Sequence, residues 1–253
     1  MTEKYTFLNF RNSDLYKELK EKLTPPFMKV HDYDTSIGEI LRAREFFYES
    51  HILLEFYNDL PKEGLILDIG ANVGNHQVMF NQLFPDRPII GFEASPHNYV
   101  HLHSNTFQYK NTNNICIGLG SQKGLSPYIH FMSNMGGSGM LNNNNTYLQQ
   151  KYANSVQQQK EPTYMDMEVI VEPLDLFNFD LDMTLLKIDV EGYELEVLKG
   201  ATNTITKHRP MIWIEDFQYE KDRTLSAIGY LEDNFKYKVI NKNEKNYLLE
   251  TKK

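Results

Sequence analysis

Apolar residues along the chain fall into short unbroken runs. Five of them, Leu65–Ile69, Ile89–Glu93, Asn114–Gly118, Leu185–Asp189 and Met211–Glu215, have the length and continuity of strands covered on both faces. Helical connections fit after Gly74, after Ser95 and after Gly192. Strands alternating with helices predict an α/β fold with a doubly wound, mostly parallel sheet. The pattern changes at the end. Tyr237–Asn241 and Asn246–Glu250 flank Lys242-Asn243-Glu244, which predicts a closing β-hairpin.

Residues 1–36 read as an N-terminal lead-in. Ser13 is placed to cap a short helix carrying Leu15, Leu19 and Leu23, ended by Pro25 and Pro26. A second helical region is predicted from Ile37 to Leu60. It is rich in Phe46, Phe47, Ile52, Leu53 and Phe56, and stops at Pro61 and Gly64. The main domain is therefore set at 37–253. Residues 119–175 break the rhythm. Predicted strands Pro127–Met132 and Met165–Glu172 bracket a polar stretch with Gly136, Gly137, Gly139, Asn142–Asn145, Gln149, Gln150 and Gln157–Gln159. Residues 133–164 are read as a loop insertion with the length of a lid.

Composition narrows the class. A chain of 253 residues, 41% hydrophobic, is long enough for one large α/β domain with an ordinary core. No apolar stretch approaches the roughly 20 residues that cross a membrane. The opening MTEKYTFLNFRNSDLYKEL is polar and of mixed charge, unlike a secretory signal. Cys116 is the one cysteine, so no internal disulfide forms, and a reducing, cytoplasmic setting is expected. Its place in the run ICI suggests a small core residue. The net charge of −8 argues against nucleic acid and favours a small-molecule, sugar or protein partner. Nothing in the pattern speaks to oligomeric state.

The chemistry concentrates in LILDIGANVGNH, residues 65–76. A strand meets Asp68, then Gly70 and Gly74, then a segment able to start a helix. That order places bare backbone against a nucleotide-like ligand. About twenty residues past Gly74, the second strand ends in Glu93, an acid placed to accept from ribose hydroxyls. The spacing is D-x-G-x-x-x-G. Asn72 stands where a dinucleotide fingerprint has its middle glycine, the position a pyrophosphate must approach closely. S-adenosylmethionine, an adenosine cofactor without phosphates, fits better, with Asp68 opposite its ammonium group.

Three segments, LILDIGANVGNH, GFEASPHNY and LLKIDVEGYELEVLKGA at 185–201, resemble the FkbM-type S-adenosylmethionine-dependent methyltransferase family over roughly residues 40 to 220. The resemblance implies a class I methyltransferase (Rossmann-like) fold, a seven-stranded sheet with its last strand antiparallel, and O-methylation of hydroxyls. It implies that Asp68, Gly70, Ala71, Asn72 and Gly74 form the first cofactor loop, and that Asn75 and His76 touch the amino-acid tail. Glu93 matches the ribose-binding acid, with Ala94 and Ser95 beside the adenine. Gly118, Leu119, Gly120 and Ser121 are expected to wrap the adenine edge.

Lys187 and Asp189 lie on one face of the fourth strand. A buried ion pair is a poor device for stability alone, which favours a functional reading. Asp189 closes that strand at the switch point and counts among both the cofactor contacts and the catalytic residues. Asp189 or Glu191 is read as the base, with Lys187 orienting a carboxylate. Asp189, Glu215 and Asp216 are the candidate oxygen ligands for magnesium. Zinc has no suitable ligand pattern. Tyr48 and Glu49 are placed to close over the cofactor, and Trp213 is read as core. The function expected is an O-methyltransferase acting on a hydroxyl of a sugar, glycan or glycosylated small molecule. The alternatives are a non-catalytic cofactor-binding module and an NAD-dependent oxidoreductase.

Overall fold

A computed structural model describes residues 14–45, 47–141, 148–149, 152–154, 164–219 and 221–251. Ser13, Phe46, Asn142–Asn145, Gln150 and Gln157–Gln159 lie outside the described residues. In chain order the elements are α1 (Asp14–Lys22), α2 (Ile37–Ala43), α3 (Ser50–Phe56), β1 (Leu65–Ile69), α4 (Asn75–Leu83), β2 (Ile89–Phe92), α5 (Pro96–Thr106) and β3 (Thr112–Ile115). There follow β4 (Gly118–Leu119), β5 (Gly124–Phe131), β6 (Gly139–Met140), β7 (Tyr164–Glu172), β8 (Met183–Ile188), α6 (Glu194–Lys199) and α7 (Thr202–His208). The chain ends with β9 (Met211–Glu215), α8 (Ala227–Phe235), β10 (Tyr237–Asn243) and β11 (Asn246–Thr251).

The main sheet has seven strands in the order β10-β11-β9-β8-β1-β2-β3. It is parallel except for β11, which slots antiparallel between β9 and β10. The doubly wound fold with an antiparallel last strand expected from the sequence is what the structure has. Strand alternation divides the core. Ile66, Leu185, Trp213 and Leu248 face one hydrophobic cluster, to which α3 and α4 add Ile52, Phe56, Val78 and Phe80. Leu67, Leu186, Ile188, Ile212 and Ile214 face the other, with Val197, Ile205 and Ile228 from α6, α7 and α8. Leu19 and Leu23 belong to the first cluster, so the lead-in packs onto the same core. No helix among the described residues is long and apolar enough to cross a membrane.

Four expectations change. The helix predicted over Ile37–Leu60 is two, α2 and α3, because Arg44 and Glu49 take left-handed φ values of 57° and 55°. The third strand ends at Ile115 instead of Gly118; Ile117 N–H donates to Ile115 O, turning the chain out of the sheet. Gly118 belongs to a second, four-stranded sheet, β4-β7-β5-β6, which the sequence pattern does not announce. The strands read at Pro127–Met132 and Met165–Glu172 are its antiparallel pair β5 and β7. The hairpin turn is Glu244-Lys245, with Asn243 paired to Asn246. Cys116 is half-buried rather than core.

Candidate active site

The site is built at the C-terminal tips of β1, β2 and β8. Gly70 ends β1 with φ +81°, and a Cβ there would lie 1.8 Å from Asp189 O. Only glycine lets the tips of β1 and β8 close on each other. Gly74, φ +91°, starts α4, and a Cβ on it would press on Leu102 and Thr106 of α5 at 3.1 Å. Glu93 is 4% exposed. Its Oε2 accepts from Asn72 N–H at 2.8 Å and its Oε1 from Ser95 N–H at 2.9 Å. Burial outweighs these bonds and pushes the carboxyl up to about 7.

Glu93 looks into a cavity of about 470 Å³, shared with Gly70, Asn72, Ala94, Gly118, Leu119 and Asp189. Its roof is the Met135–Met140 stretch, with Met135, Gly136, Ser138, Gly139 and Met140 on the wall. These residues lie in the stretch 133–164, read from the sequence as a loop insertion with the length of a lid. Tyr128 of β5 and Asn98 of α5 are also on the wall; Asn98 lies within GFEASPHNY without a role assigned to it, and no motif pointed to Tyr128.

A second cavity, about 890 Å³, adjoins the first and shares Gly70, Asn72, Gly136, Asp189 and Glu191 with it. Ala71, Asn75 and His76 line it, as do Ser36, Ile37, Tyr48, Glu49, Asn134, Glu215 and Phe217. Asn75 is locked to Tyr48 in both directions: its Oδ1 accepts from Tyr48 N–H at 3.1 Å, and its Nδ2 donates to Tyr48 O at 2.9 Å. One oxygen each from Asp189, Glu191 and Glu215 lies within 4.8 Å of the others. Glu49, Asn72 and Glu191, three non-glycine residues at positive φ, all sit on these walls. Left-handed backbone at non-glycine positions is strain, and it gathers here.

Lys187 lies beneath this floor, 1% exposed. Its Nζ donates to Asp189 Oδ2 at 3.2 Å and stands 3.8 Å from Asp68 Oδ1. Burial alone would lower its pKa, but Asp189, Asp68 and Glu49 together raise it, so the ammonium persists. Burial pushes Glu49 up to about 7, with Asp189 adding to the rise. Glu215 is driven far above the carboxylate range by burial, then by Asp189 and Glu191. Burial, and Lys187 behind it, hold His76 well below its ordinary value, so its 3.5 Å approach to Glu49 Oε2 joins a neutral ring to the acid.

Several predicted residues stand elsewhere. Asp68 is 1% exposed and is not on either wall; it faces Lys187 from behind the loop. Ser95 is fully buried and caps α5, accepting from Asn98 N–H. Gly120 and Ser121 leave the adenine edge: Gly120 N–H donates to Glu172 O, and Ser121 Oγ donates to Glu196 Oε2. The pairing of β4 with β7 carries them away, so only Gly118 and Leu119 of that run remain on the wall. Asp216 is not part of the acidic group. Its Oδ1 accepts from Gln218 and Tyr219 N–H, and its Oδ2 from Ser226 Oγ and Ile228 N–H, which fastens the loop into α8. Glu191 lines both cavities. Glu194 is structural: its Oε1 accepts from Val190 and Gly192 N–H and shapes the turn that presents Glu191.

A sequence model described as the methyltransferase FkbM domain matches residues 68–240. Methyltransferase sdnD of Sordaria araneosa is 28% identical over 164 residues, 56% of this chain and 62% of that protein. The chain thus covers less than two thirds of this curated relative's length. Among solved structures, a methyltransferase FkbM from Methylobacillus flagellatus KT is 16% identical, with a TM-score of 0.48 over 94% of this chain and 58% of that one. The SAH-bound Podospora anserina methyltransferase PaMTH1 is 11% identical, with a TM-score of 0.42 over 96% and 97%.

Proposed function

Because the chain belongs to the methyltransferase FkbM domain family, we propose that it is an S-adenosylmethionine-dependent methyltransferase acting on a hydroxyl of a sugar, glycan or glycosylated small molecule. One observation carries the cofactor reading. A buried Glu93, each oxygen already holding one backbone N–H, faces the smaller cavity across the glycine turn from Asp189. Asn98 Nδ2 also donates to Oε1 at 3.4 Å; a carboxylate has about four acceptor positions, so one, on Oε2, remains for a ribose hydroxyl. The residues fit the group in a second way. Neither cavity has a lysine or arginine on its described wall. A nicotinamide dinucleotide's pyrophosphate finds no counter-charge there, whereas a phosphate-free cofactor needs none.

When bound, the cofactor supplies an electrophilic methyl group on a sulfonium. The chain's residues do the rest. Gly70, Asn72 and Glu93 hold the nucleoside; Ala71, Asn75 and His76 face the amino-acid end. Asp189 and Glu191, on the boundary of the two cavities, stand where an acceptor hydroxyl's proton must go. Lys187 fixes Asp189 from below and acts as a positioning residue. The Met135–Met140 roof limits water beside the reacting centre. The larger cavity, walled by Tyr48, Glu49 and Glu215, receives the acceptor. Half-buried Cys116, a lone thiol, supports a cytoplasmic setting.

The convergence of Asp189, Glu191 and Glu215 favours a second element, a hard divalent cation such as magnesium on those oxygens, which would lower a hydroxyl's pKa. Isothermal titration with S-adenosylhomocysteine tests the cofactor reading. Glu93→Ala should weaken binding by about 1–3 kcal/mol, the scale of a hydroxyl left without an acceptor; unchanged affinity refutes the assignment. Mass spectrometry of hydroxylated glycans with labelled methyl donor, with and without a chelator, then addresses acceptor and cation together.

A further inference from the structure

Outside the proposed active site, four histidines from three parts of the chain meet. His31 lies in the irregular stretch between α1 and α2, His97 and His101 lie one turn apart on α5, and His130 is on β5. The His31 ring is 4.1 Å from that of His101, 6.0 Å from His130 and 6.4 Å from His97, centroid to centroid, and His97 is 5.2 Å from His130. His130 is fully buried. Its Nδ1 lies 3.2 Å from Ser95 Oγ, which also accepts from Asn98 N–H. Its Nε2 has no hydrogen-bond partner, so no carboxylate or carbonyl is in place to hold a second ring proton.

We propose that these histidines form a proton-operated clasp: at neutral pH they hold residues 24–36 against α5 and β5, and protonation in mildly acidic solution releases that stretch, and with it the Ser36–Ile37 wall of the larger cavity. The stretch has no helix or strand of its own. Met28 anchors it to the core, and hydrogen bonds with Gln82, Asn105, Ser133 and Arg42 pin it, together with the 3.3 Å contact of His31 Nε2 with His97 O. Lys29 N–H donates to Asn105 Oδ1 at 2.7 Å, Thr35 N–H donates to Ser133 O at 3.1 Å, and Arg42 Nη1 donates to His31 O at 2.8 Å.

Rings at these separations cannot all carry charge cheaply. The charged groups around them divide. Asp32 and Asp34 favour a protonated His31, but Asp34 is half spent on Ser36 N–H. Lys29 opposes charge on His101, and Arg42 adds a cation at the His31 backbone. Burial first, then neighbouring histidines, hold His101 below its ordinary value and His130 at about 4. Burial likewise lowers His31. Once released, the rings titrate near 6.5. The released form therefore takes up protons that the clasped form refuses. Each such histidine shifts the balance toward release by up to about tenfold per pH unit below that value.

Amide hydrogen exchange on the full ligand-free chain tests this at pH 7.5 and 5.5, corrected for intrinsic rates. Protection at Lys29 and Thr35 should fall at least about tenfold at the lower pH, while Ile66 and Leu186 of the main sheet keep theirs. The variant His31→Gln with His101→Gln, which keeps only the His130 contribution, should lose clearly less protection at pH 5.5 than the native chain. Equal protection of the native chain at both values, or equal loss in the variant, overturns the proposal. Should the variant be released already at pH 7.5, the His130 ring titration followed by NMR in the native chain decides: a midpoint at or above 6.5 sinks the clasp, and one well below it sustains it. No methyl donor or acceptor enters the measurement, so its outcome is separable from that of the methyltransferase reading.

Discussion

Lys187 shows what a single residue does here. It is a buried cation flanked by Asp68 and Asp189 in adjacent strands, and removing it strands Asp68 as an uncompensated buried charge. Lys187→Ala should destabilise the protein by about 3–5 kcal/mol in urea titration. Lys187→Met in an Asp68→Asn background should lose clearly less, because no orphan carboxylate remains at that position. Glu93 makes a pH-dependent contribution of the opposite kind. Its folded-state value of about 7 lies above the ordinary 4.5. The folded form thus holds a proton that the unfolded chain has released, and stability contributed at acid pH is lost as pH rises from about 4.5 to 7. Relative to Glu93→Gln, the native chain should lose about 3 kcal/mol across that window, read from denaturation midpoints. Gly70 and Glu93 were legible in the sequence because a strand, a tight turn and a spaced acid encode a placement directly. Asp216 was not. Neighbouring carboxylates at a strand end look alike on paper, and only the bonds from Gln218, Tyr219, Ser226 and Ile228 turn this one inward.

Elements carry the next layer. The turn after β1 exists because Gly70 lets its backbone lie against Asp189 O. Gly70→Ala should cost about 1–2 kcal/mol from left-handed backbone alone, and the added methyl must also push the β1 and β8 tips apart. A fall in S-adenosylhomocysteine affinity of at least about tenfold, alongside a lower melting point, is the expected result. Gly124→Ala, where a Cβ meets nothing within 4 Å, should stay within about 0.5 kcal/mol of the parent. Four strands of the parallel core, β1, β2, β8 and β9, were readable because burial leaves unbroken apolar runs; β3, the polar edge strand TNNI, was placed only in part. The second sheet was not readable as a sheet. Its strands β4 and β6 are two residues each, too short for any period. β5 and β7 were visible only as isolated strands, since nothing in a sequence states which strands pair. The break between α2 and α3 was hidden because Arg44 and Glu49 adopt left-handed backbone without glycine to announce it.

At the scale of the whole molecule, the lead-in, the inserted sheet and the strand tips converge on two adjoining cavities. A ligand spanning them should stabilise the entire domain. At about 100 times its dissociation constant, S-adenosylhomocysteine should add about 2.7 kcal/mol, or roughly 5–10 °C in a thermal melt of a chain this size. No shift at saturating concentration would count against the cofactor reading. Fold class was legible because alternation is a property of the full chain. The approach of residues 24–36 to α5 was not, because irregular backbone carries no periodic signature. The antiparallel β11 has a further consequence, for synthesis on the ribosome. It is made after β9 and β10, yet it lies between them in the sheet, joined to β9 through Asn246↔Glu215 and to β10. A nascent chain that has emerged only through β10 presents β9 with a bare edge, open to wrong partners, and its Glu215 lacks the Asn246 pairing. Synthesis must pass β11 before the acidic wall can set.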